Sequence, residues 1–188
     1  MLIHDWGSAY GFLLQRDRPD LISRIATLDV GGSGDKSKTN MLFSLSYQLL
    51  FSFLFALGDP LATWFMKLFY IFMPIASMGT VPRKVSELTS SMMYPYYQIF
   101  FMHLFNPKDE YLKQMKGGGG LHEVDGSKCP VFFAYGAGKP IMFHSDKWIE
   151  SLETQKNCKA ISMECGHWIM TDKPKELNEE LITWLQET

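Results

Sequence analysis

The chain has 188 residues, which suits one domain, and its 46% of hydrophobic residues are enough for a substantial core. Its 18 Lys and Arg and 20 Asp and Glu leave a net charge of −2 without a basic stripe, so we predict no nucleic-acid partner. The three cysteines show no paired spacing, which favours a reducing, cytoplasmic compartment, and no metal-ligand motif or cofactor is predicted.

Residues 1–36 have the pattern of one strand–helix–strand unit. Leu2–Ile3 is predicted to end a strand, His4–Ser8 to form a tight turn, and Ala9–Arg16 to form a helix. Ile22–Val30 is then predicted as a buried strand. Because two strands joined by a crossover helix run parallel, we predict an α/β fold with a parallel sheet.

Residues 37–120 are rich in Phe, Met, Leu and Tyr and are predicted to be mostly helical, interrupted by prolines. The apolar stretches Met41–Leu57 and Ala62–Ala76 are shorter than the ~20 residues of a membrane span. We therefore predict buried lid or core helices, with contact to a membrane as the open alternative. The run Gly117–Gly120 is predicted to be a flexible linker that returns the chain to the sheet.

Residues 121–188 return to alternating strands and helices. Pro130–Tyr135 and Lys159–Glu164 are predicted strands, and Asp146–Gln155 and Pro174–Gln186 are predicted helices. A helical block inserted between strands of one parallel sheet predicts a lid over the carboxyl edge of that sheet, where such folds bind ligands.

The turn at His4–Ser8 has the chemistry of a nucleophile. A sharp strand-to-helix turn lifts its central side chain above the sheet and leaves backbone N–H groups free at the positive end of the helix. Asp5 occupies that apex. A carboxylate there can attack an sp³ carbon to form an ester, which water activated by a histidine can hydrolyse. The alternative is that Asp5 only caps the helix.

The run His4–Phe12 (His-Asp-Trp-Gly-Ser-Ala-Tyr-Gly-Phe) resembles the nucleophile elbow of haloalkane dehalogenases and epoxide hydrolases. Cys165–Trp168 resembles the catalytic-histidine turn of the same group. This resemblance covers both α/β blocks, is weak across the lid, and implies a partial α/β-hydrolase sheet with a helical lid. It implies that Asp5 is the nucleophile, that His167 is the base, and that Trp6 provides an oxyanion-hole N–H and, in dehalogenases, an indole that holds the halide.

The resemblance leaves the acid of the triad open. Most epoxide hydrolases carry an aspartate after the strand that ends here at Gly136, where this sequence has Lys139. A subset of haloalkane dehalogenases takes the acid from the preceding strand, at the position of Asp29. An acid there can orient the histidine ring and stabilise the imidazolium. We predict Asp29, with Asp146 in reserve; the alternative for Asp29 is a cap on nearby loop amides, and for His167 a core-edge histidine bonded to the backbone.

Epoxide hydrolases of this fold use lid tyrosines as hydrogen-bond donors to the epoxide oxygen, which makes Tyr94, Tyr96 and Tyr97 candidate donors here. Packing is the alternative role for these rings. The apolar lid favours a small apolar substrate. Asp29 as the acid favours dehalogenase chemistry, whereas the tyrosines favour epoxide hydrolysis.

The family has several strands and an oxyanion loop upstream of the elbow, and this sequence contains no counterpart of them. We therefore expect the chain to correspond to the C-terminal half of such a hydrolase, as a fragment, an incomplete gene model or one half of a split protein. The leading hypothesis is a hydrolase that forms an aspartyl ester with epoxides or halogenated alkyl compounds. The alternative is a truncated, inactive relative that serves as a membrane-associated or partner-binding module.

Overall fold

The computed structural model describes residues 1–32, 38–73, 79–101, 105 and 129–188. Four strands form one sheet in the order β1 (Leu2–His4), β2 (Ile25–Leu28), β3 (Val131–Gly136) and β4 (Lys159–Met163). Every neighbouring pair is parallel. The predicted α/β fold with a parallel sheet is therefore confirmed.

Helix α1 (Trp6–Asp17) connects β1 to β2 and begins within the predicted turn, three residues before the predicted helix start at Ala9. The prediction of a strand over Ile22–Val30 was too long at both ends. A 3₁₀ turn at Pro19–Leu21 precedes the strand, and Asp29 leaves it with a φ of 63°, which breaks the extended conformation.

The block between β2 and β3 is helical in its described part, as predicted. It contains α2 (Lys38–Leu57), α3 (Leu61–Phe72) and the single turn α4 (Tyr94–Tyr96), with further one-turn segments at Val85–Glu87, Ser90–Met93 and Tyr97–Phe101. These segments share an apolar cluster of Phe51, Leu54, Ala62, Met66, Leu88 and Met93. The Gly117–Gly120 linker and both predicted block boundaries, at 36/37 and 120/121, lie outside the described residues.

The lid helices are only partly buried. One face of α2 and α3 packs into the lid cluster, whereas the other exposes many large apolar side chains, which were predicted to be covered. The exposed residues are Leu42, Leu45, Leu49, Leu50, Phe53, Leu57, Leu61, Trp64, Leu68 and Ile71. Among the described residues, no helix combines the length and the hydropathy needed to cross a membrane.

Helices α5 (Asp146–Glu153), α6 (Ile169–Asp172) and α7 (Pro174–Glu187) complete the described chain, and α6 is an addition to the predicted elements. The sheet is covered on both faces, so its central strand β3 alternates between two cores. Val131 and Phe133 pack with α1 and α5, and Phe132 and Ala134 pack with α7. Both faces are closed, which leaves the carboxyl edge of the strands as the place where functional side chains can project.

Candidate active site

Asp5 lies at the apex of the turn between β1 and α1. Its φ of 52° is unusual for a residue other than glycine, and the turn is closed by the Ser8 N–H, which donates to the Asp5 carbonyl at 2.9 Å. The Asp5 side chain makes no hydrogen bond to cap α1. The geometry therefore does not support the capping alternative, and the carboxylate is directed away from the helix end.

The elbow is anchored to the neighbouring strand by a buried chain of hydroxyl groups. Ser8 Oγ lies 2.9 Å from Thr27 Oγ1, and the Thr27 hydroxyl donates to the Val30 carbonyl at 2.8 Å. Both hydroxyl side chains are inaccessible to solvent. Because buried hydroxyl groups are costly when left unpaired, this chain ties the position of the turn to the end of β2.

The histidine turn passes directly over the end of β3. A Cβ atom at Gly136 would lie 2.0 Å from the Gly166 carbonyl oxygen, so only glycine is tolerated there. The Gly138 N–H donates to the Cys165 carbonyl at 3.0 Å and holds the turn from the other side. This close approach brings His167, on the turn after β4, back over the middle of the sheet.

The carboxylate of Asp29 binds the ring of His167. His167 Nδ1 lies 2.5 Å from Asp29 Oδ2, and both side chains are buried. An ionised carboxylate can only accept, so Nδ1 carries the proton. Asp29 Oδ1 accepts the Gly136 N–H at 3.0 Å, whereas the Gly31 N–H donates to the Phe143 carbonyl. Neither the loop-cap alternative for Asp29 nor the backbone-bonded alternative for His167 describes these contacts.

Asp5 faces the other nitrogen of the same ring. Asp5 Oδ2 lies 3.9 Å from His167 Nε2, an ion-pair distance that is too long for a direct hydrogen bond. The Asp5 side chain retains 47% of its accessible surface although protein surrounds it, because that surface faces a cavity. One carboxylate thus orients the ring, and the other is accessible to a molecule in the cavity.

The charges of the site shift the pKa values of all three groups. Burial lowers the pKa of His167, but the hydrogen bond to Asp29 and the charge of Asp5 outweigh it and raise that pKa to about 9. Burial raises the pKa of Asp5, but the interaction with His167 outweighs it and holds the pKa below its ordinary value. The pKa of Asp29 is lowered in the same way, by His167 and Lys139.

A second histidine lies beside the first. His4 Nε2 is 3.1 Å from the His167 carbonyl oxygen, and the two rings are 4.5 Å apart. Burial and the neighbouring charge of His167 lower the pKa of His4. A neutral His4 can donate its Nε2 proton to that carbonyl and so help to position the histidine turn.

The cavity above Asp5 has a volume of about 810 Å³ and lies between the sheet edge and the lid. Trp6 lines it from the elbow, and Tyr47 and Tyr96 line it from the lid. Of the three predicted lid donors, the geometry brings only Tyr96 to the cavity. Tyr94 and Tyr97 lie against the ring of Phe55 and are absent from the described cavity wall.

Trp6, Tyr96 and Tyr47 form an aromatic row along the cavity wall. The ring of Tyr96 meets that of Trp6 edge-on at 4.9 Å and that of Tyr47 at 5.9 Å. The Trp6 Nε1–H is buried beside the Tyr96 hydroxyl and has no hydrogen-bond partner of good geometry in the described ranges.

Sequence reasoning missed two residues of this site. Tyr47 lies within an apolar stretch whose pattern indicates packing, so its hydroxyl gave no separate signal. Lys139 was noted only because it occupies the position where an acid is more usual, and the structure places its ammonium 2.8 Å from Asp29. The reserve acid Asp146 instead lies exposed in the first turn of α5.

The described part of the chain contains no cluster of three His, Cys, Asp or Glu side chains that could hold a metal ion. The site brings together carboxylates, imidazole rings and hydrogen-bond donors around a largely apolar cavity, and side chains of these types can carry out nucleophilic and acid–base chemistry.

The chain was compared with known proteins at the levels of sequence and structure. No protein-family profile and no curated protein matches it. Solved structures do. It is similar to a loop variant of the haloalkane dehalogenase DbeA from Bradyrhizobium elkanii, with a TM-score of 0.56 and 17% identity. The alignment covers 99% of this chain and 66% of that one. The chain has an α/β-hydrolase fold.

Two further structures with this hydrolase fold match the chain to a similar extent. Epoxide hydrolase A from Mycobacterium thermoresistibile has a TM-score of 0.53 and 19% identity, over 98% of this chain and 68% of the other. The α/β hydrolase MGS-M2 from a Medee basin deep-sea metagenome library has a TM-score of 0.50 and 14% identity, over 100% and 64%. The chain therefore spans about two thirds of the length of these α/β-hydrolase structures.

Proposed function

We propose that this chain carries the site of a hydrolase that opens small apolar epoxides through an ester on Asp5. The observation that supports the proposal is the arrangement of Asp5, His167 and Asp29 beneath a cavity whose wall includes Tyr47 and Tyr96. A carboxylate accessible from an apolar cavity suits attack on an uncharged, electrophilic carbon.

In the first step, an oxygen of Asp5 attacks one epoxide carbon. The C–O bond of the ring breaks, and the ring oxygen leaves as a developing alkoxide that takes a proton from a tyrosine hydroxyl. Burial raises the pKa of Tyr47 to about 12 and that of Tyr96 well above its ordinary value. Both phenols are therefore protonated donors at neutral pH, and donors aimed at a developing charge lower the barrier.

In the second step, water attacks the carbonyl carbon of the Asp5 ester while His167 accepts one of its protons. Asp29 stabilises the resulting imidazolium, and the Trp6 backbone N–H, free at the start of α1, stabilises the oxyanion. Collapse of the tetrahedral intermediate breaks the ester C–O bond, and the His167 imidazolium returns its proton to the leaving oxygen, which releases the diol. The remaining proton of the attacking water passes from the Asp5 carboxyl group to the tyrosinate, which restores the phenol and leaves the Asp5 carboxylate with one oxygen from water.

Ester formation is expected to convert His167 into a better base for this step. In the free protein the hydrogen bond to Asp29 and the charge of Asp5 together raise the pKa of His167 to about 9. The ester removes that charge, so the pKa falls and the ring loses its proton at lower pH. Asp5→Asn imitates the neutral ester, and NMR titration of His167 in this variant should give a pKa about one unit or more below that of the wild type. The exposed change Asp20→Asn is the control; equal values in all three proteins would contradict the prediction.

Tyr47 and Tyr96 in the cavity wall are expected to matter for epoxide opening. Tyr47→Phe and Tyr96→Phe each remove a hydroxyl group while keeping the ring, and each should lower the rate of ester formation on the order of 10²-fold. Stopped-flow measurement of the first turnover checks this result. Tyr94→Phe is the matched control, because Tyr94 is exposed and lies away from the cavity wall. An equal loss in all three variants would point to lid packing instead of proton donation.

The oxygen of the product tests the mechanism as a whole. In a single turnover in ¹⁸O-labelled water, the diol should receive unlabelled oxygen from Asp5, and label should enter the Asp5 carboxylate over repeated turnovers. Mass spectrometry of the peptide that contains the elbow reads this directly. Diol formation without label in Asp5 would exclude the ester.

Halogenated alkyl compounds are the alternative substrates for the same Asp5 chemistry. The buried Trp6 Nε1–H, which lacks a well-oriented partner among the described residues, could hold a departing halide. Halide release from a bromoalkane, measured beside diol formation from the matching epoxide, separates the two substrates. The tyrosine pair supports the epoxide, because a halide ion leaves without needing a proton.

The exposed apolar face of α2 and α3 supports a second candidate function, in which the chain binds a membrane or a partner without turnover. This function predicts binding to phosphatidylcholine vesicles or to a partner that Asp5→Asn leaves unchanged and that a Leu49→Asp, Phe53→Asp double variant abolishes. Measurable diol formation by the chain would rule out a purely non-catalytic role.

A further inference from the structure

The acid of the site is paired with a second cation besides His167. Lys139, in the loop after β3, has a fully buried side chain, and its Nζ lies 2.8 Å from Asp29 Oδ1. The same Nζ donates to the Gly136 carbonyl at 2.7 Å and lies 3.5 Å from Met142 Sδ. The ring of Phe143 covers it at 5.7 Å.

Both oxygens of the Asp29 carboxylate therefore have partners. Oδ1 contacts the Lys139 ammonium and accepts the Gly136 N–H, and Oδ2 accepts the His167 Nδ1–H. The two oxygens are not interchangeable, because rotating the carboxylate would break three contacts at once. A buried lysine is rarely retained for stability alone, since desolvating two charges costs about as much as their attraction returns.

We propose that Lys139 is a positioning residue of this site, whose ammonium holds one oxygen of Asp29 so that the other faces His167, and whose charge limits how strongly Asp29 favours the imidazolium. The inference rests on the proposed function, because it concerns the base that acts on the Asp5 ester. This role also explains how the chain tolerates Lys139 at a position where an acid is more usual, because the lysine pairs with Asp29, the acid at the end of the neighbouring strand.

The charge effect follows from the groups that face the His167 ring. These are Asp5 from the elbow, His4 from β1, Asp29 from the end of β2 and, behind Asp29, Lys139 from the loop after β3. The other rings in contact are the uncharged Phe143 and Trp168. Two carboxylates favour the charged ring, and among the described residues the buried Lys139 ammonium opposes them. Without the Lys139 ammonium, the charge of Asp29 interacts with His167 and with no second cation beside it, which favours the imidazolium further.

NMR titration of His167 in the full chain tests this proposal. Lys139→Met keeps the shape of the side chain without its charge and should raise the His167 pKa by about one unit or more. Lys139→Gln keeps a hydrogen-bond donor for Asp29 but removes the charge, and it should raise the His167 pKa as well. This variant replaces Lys139→Met in the test if the methionine variant does not fold. Lys147→Met removes one exposed lysine charge from α5 and should leave the titration unchanged.

A purely structural lysine would give a different result. In that case Lys139→Met and Lys139→Gln would lower the unfolding temperature and leave the His167 pKa at the wild-type value, and the proposal would be overturned. The titration needs no turnover, so it answers the question even if no epoxide is hydrolysed. Where turnover occurs, the acidic limb of the pH–rate profile should shift to higher pH together with the His167 pKa. If neither the pH–rate profile nor the His167 pKa changes in the Lys139 variants, the role of Lys139 is refuted, whereas the proposed role of Asp5 is unaffected.

Discussion

Asp5→Asn is expected to abolish epoxide turnover, with a loss in kcat on the order of 10⁴-fold or more, the scale seen when a catalytic triad loses its nucleophile or base. The amide is a poor nucleophile and cannot form the ester, although the elbow keeps its shape. The Asp5 side chain makes no capping bond to α1, so the substitution should leave the fold and the cavity unchanged. Diol formation under saturating substrate measures the effect, and circular dichroism verifies folding.

Asp146→Asn is the matched control for this experiment. It makes the same chemical change in an exposed carboxylate of α5, the residue predicted as the reserve acid, and it should retain wild-type kcat. Turnover that survives in Asp5→Asn would place the nucleophile elsewhere. Loss of turnover in Asp146→Asn would instead show that Asp146, and not Asp29, is the acid that supports His167.

His167→Gln is expected to separate the two chemical steps. Ester formation needs only Asp5 and the tyrosine donors, whereas ester hydrolysis needs the histidine as a base, so the ester should accumulate. Steady-state kcat should fall on the order of 10⁴-fold, while one equivalent of substrate is consumed in a burst. Mass spectrometry should find the elbow peptide heavier by one substrate molecule.

The double variant Asp5→Asn, His167→Gln controls for adventitious alkylation, and it should carry no added mass. An adduct on a different carboxylate, or a His167→Gln protein that turns over like the wild type, would contradict the assignment of the base. The experiment also bears on Asp29, because Asp29→Asn should weaken the base without preventing the burst.

The parallel α/β fold and the elements that flank the site could be predicted from the sequence because they are encoded locally. The run of apolar residues in Val131–Gly136, the small residues after Asp5 and the amphipathic pattern of α7 each specify an element without reference to the rest of the chain. The short helix α6 was missed, since four residues give too little periodicity to detect. The early end of β2 was missed because the positive φ of Asp29 has no signature in apolar patterning.

The lid shows where local information ends. Its helices were predicted from composition, yet composition does not reveal which hydroxyl faces the cavity. Tyr94, Tyr96 and Tyr97 are neighbours in sequence, but helical geometry points them in different directions, so Tyr96 shares the cavity wall with Tyr47 from a different helix. The pairing depends on how two helices pack, which no pattern within either helix specifies.

By itself, the sequence determined the order of strands and helices, the turn that carries Asp5 and the turn that carries His167, because each depends on neighbouring residues alone. The tertiary structure decided which groups meet. Parallel strands bring their carboxyl ends to one edge, so Asp29 reaches His167 at 138 residues' separation, and Lys139 reaches Asp29 from the loop after β3. These contacts between residues far apart in sequence arise from the packing of the sheet, and the charged groups that they bring together set the pKa of His167.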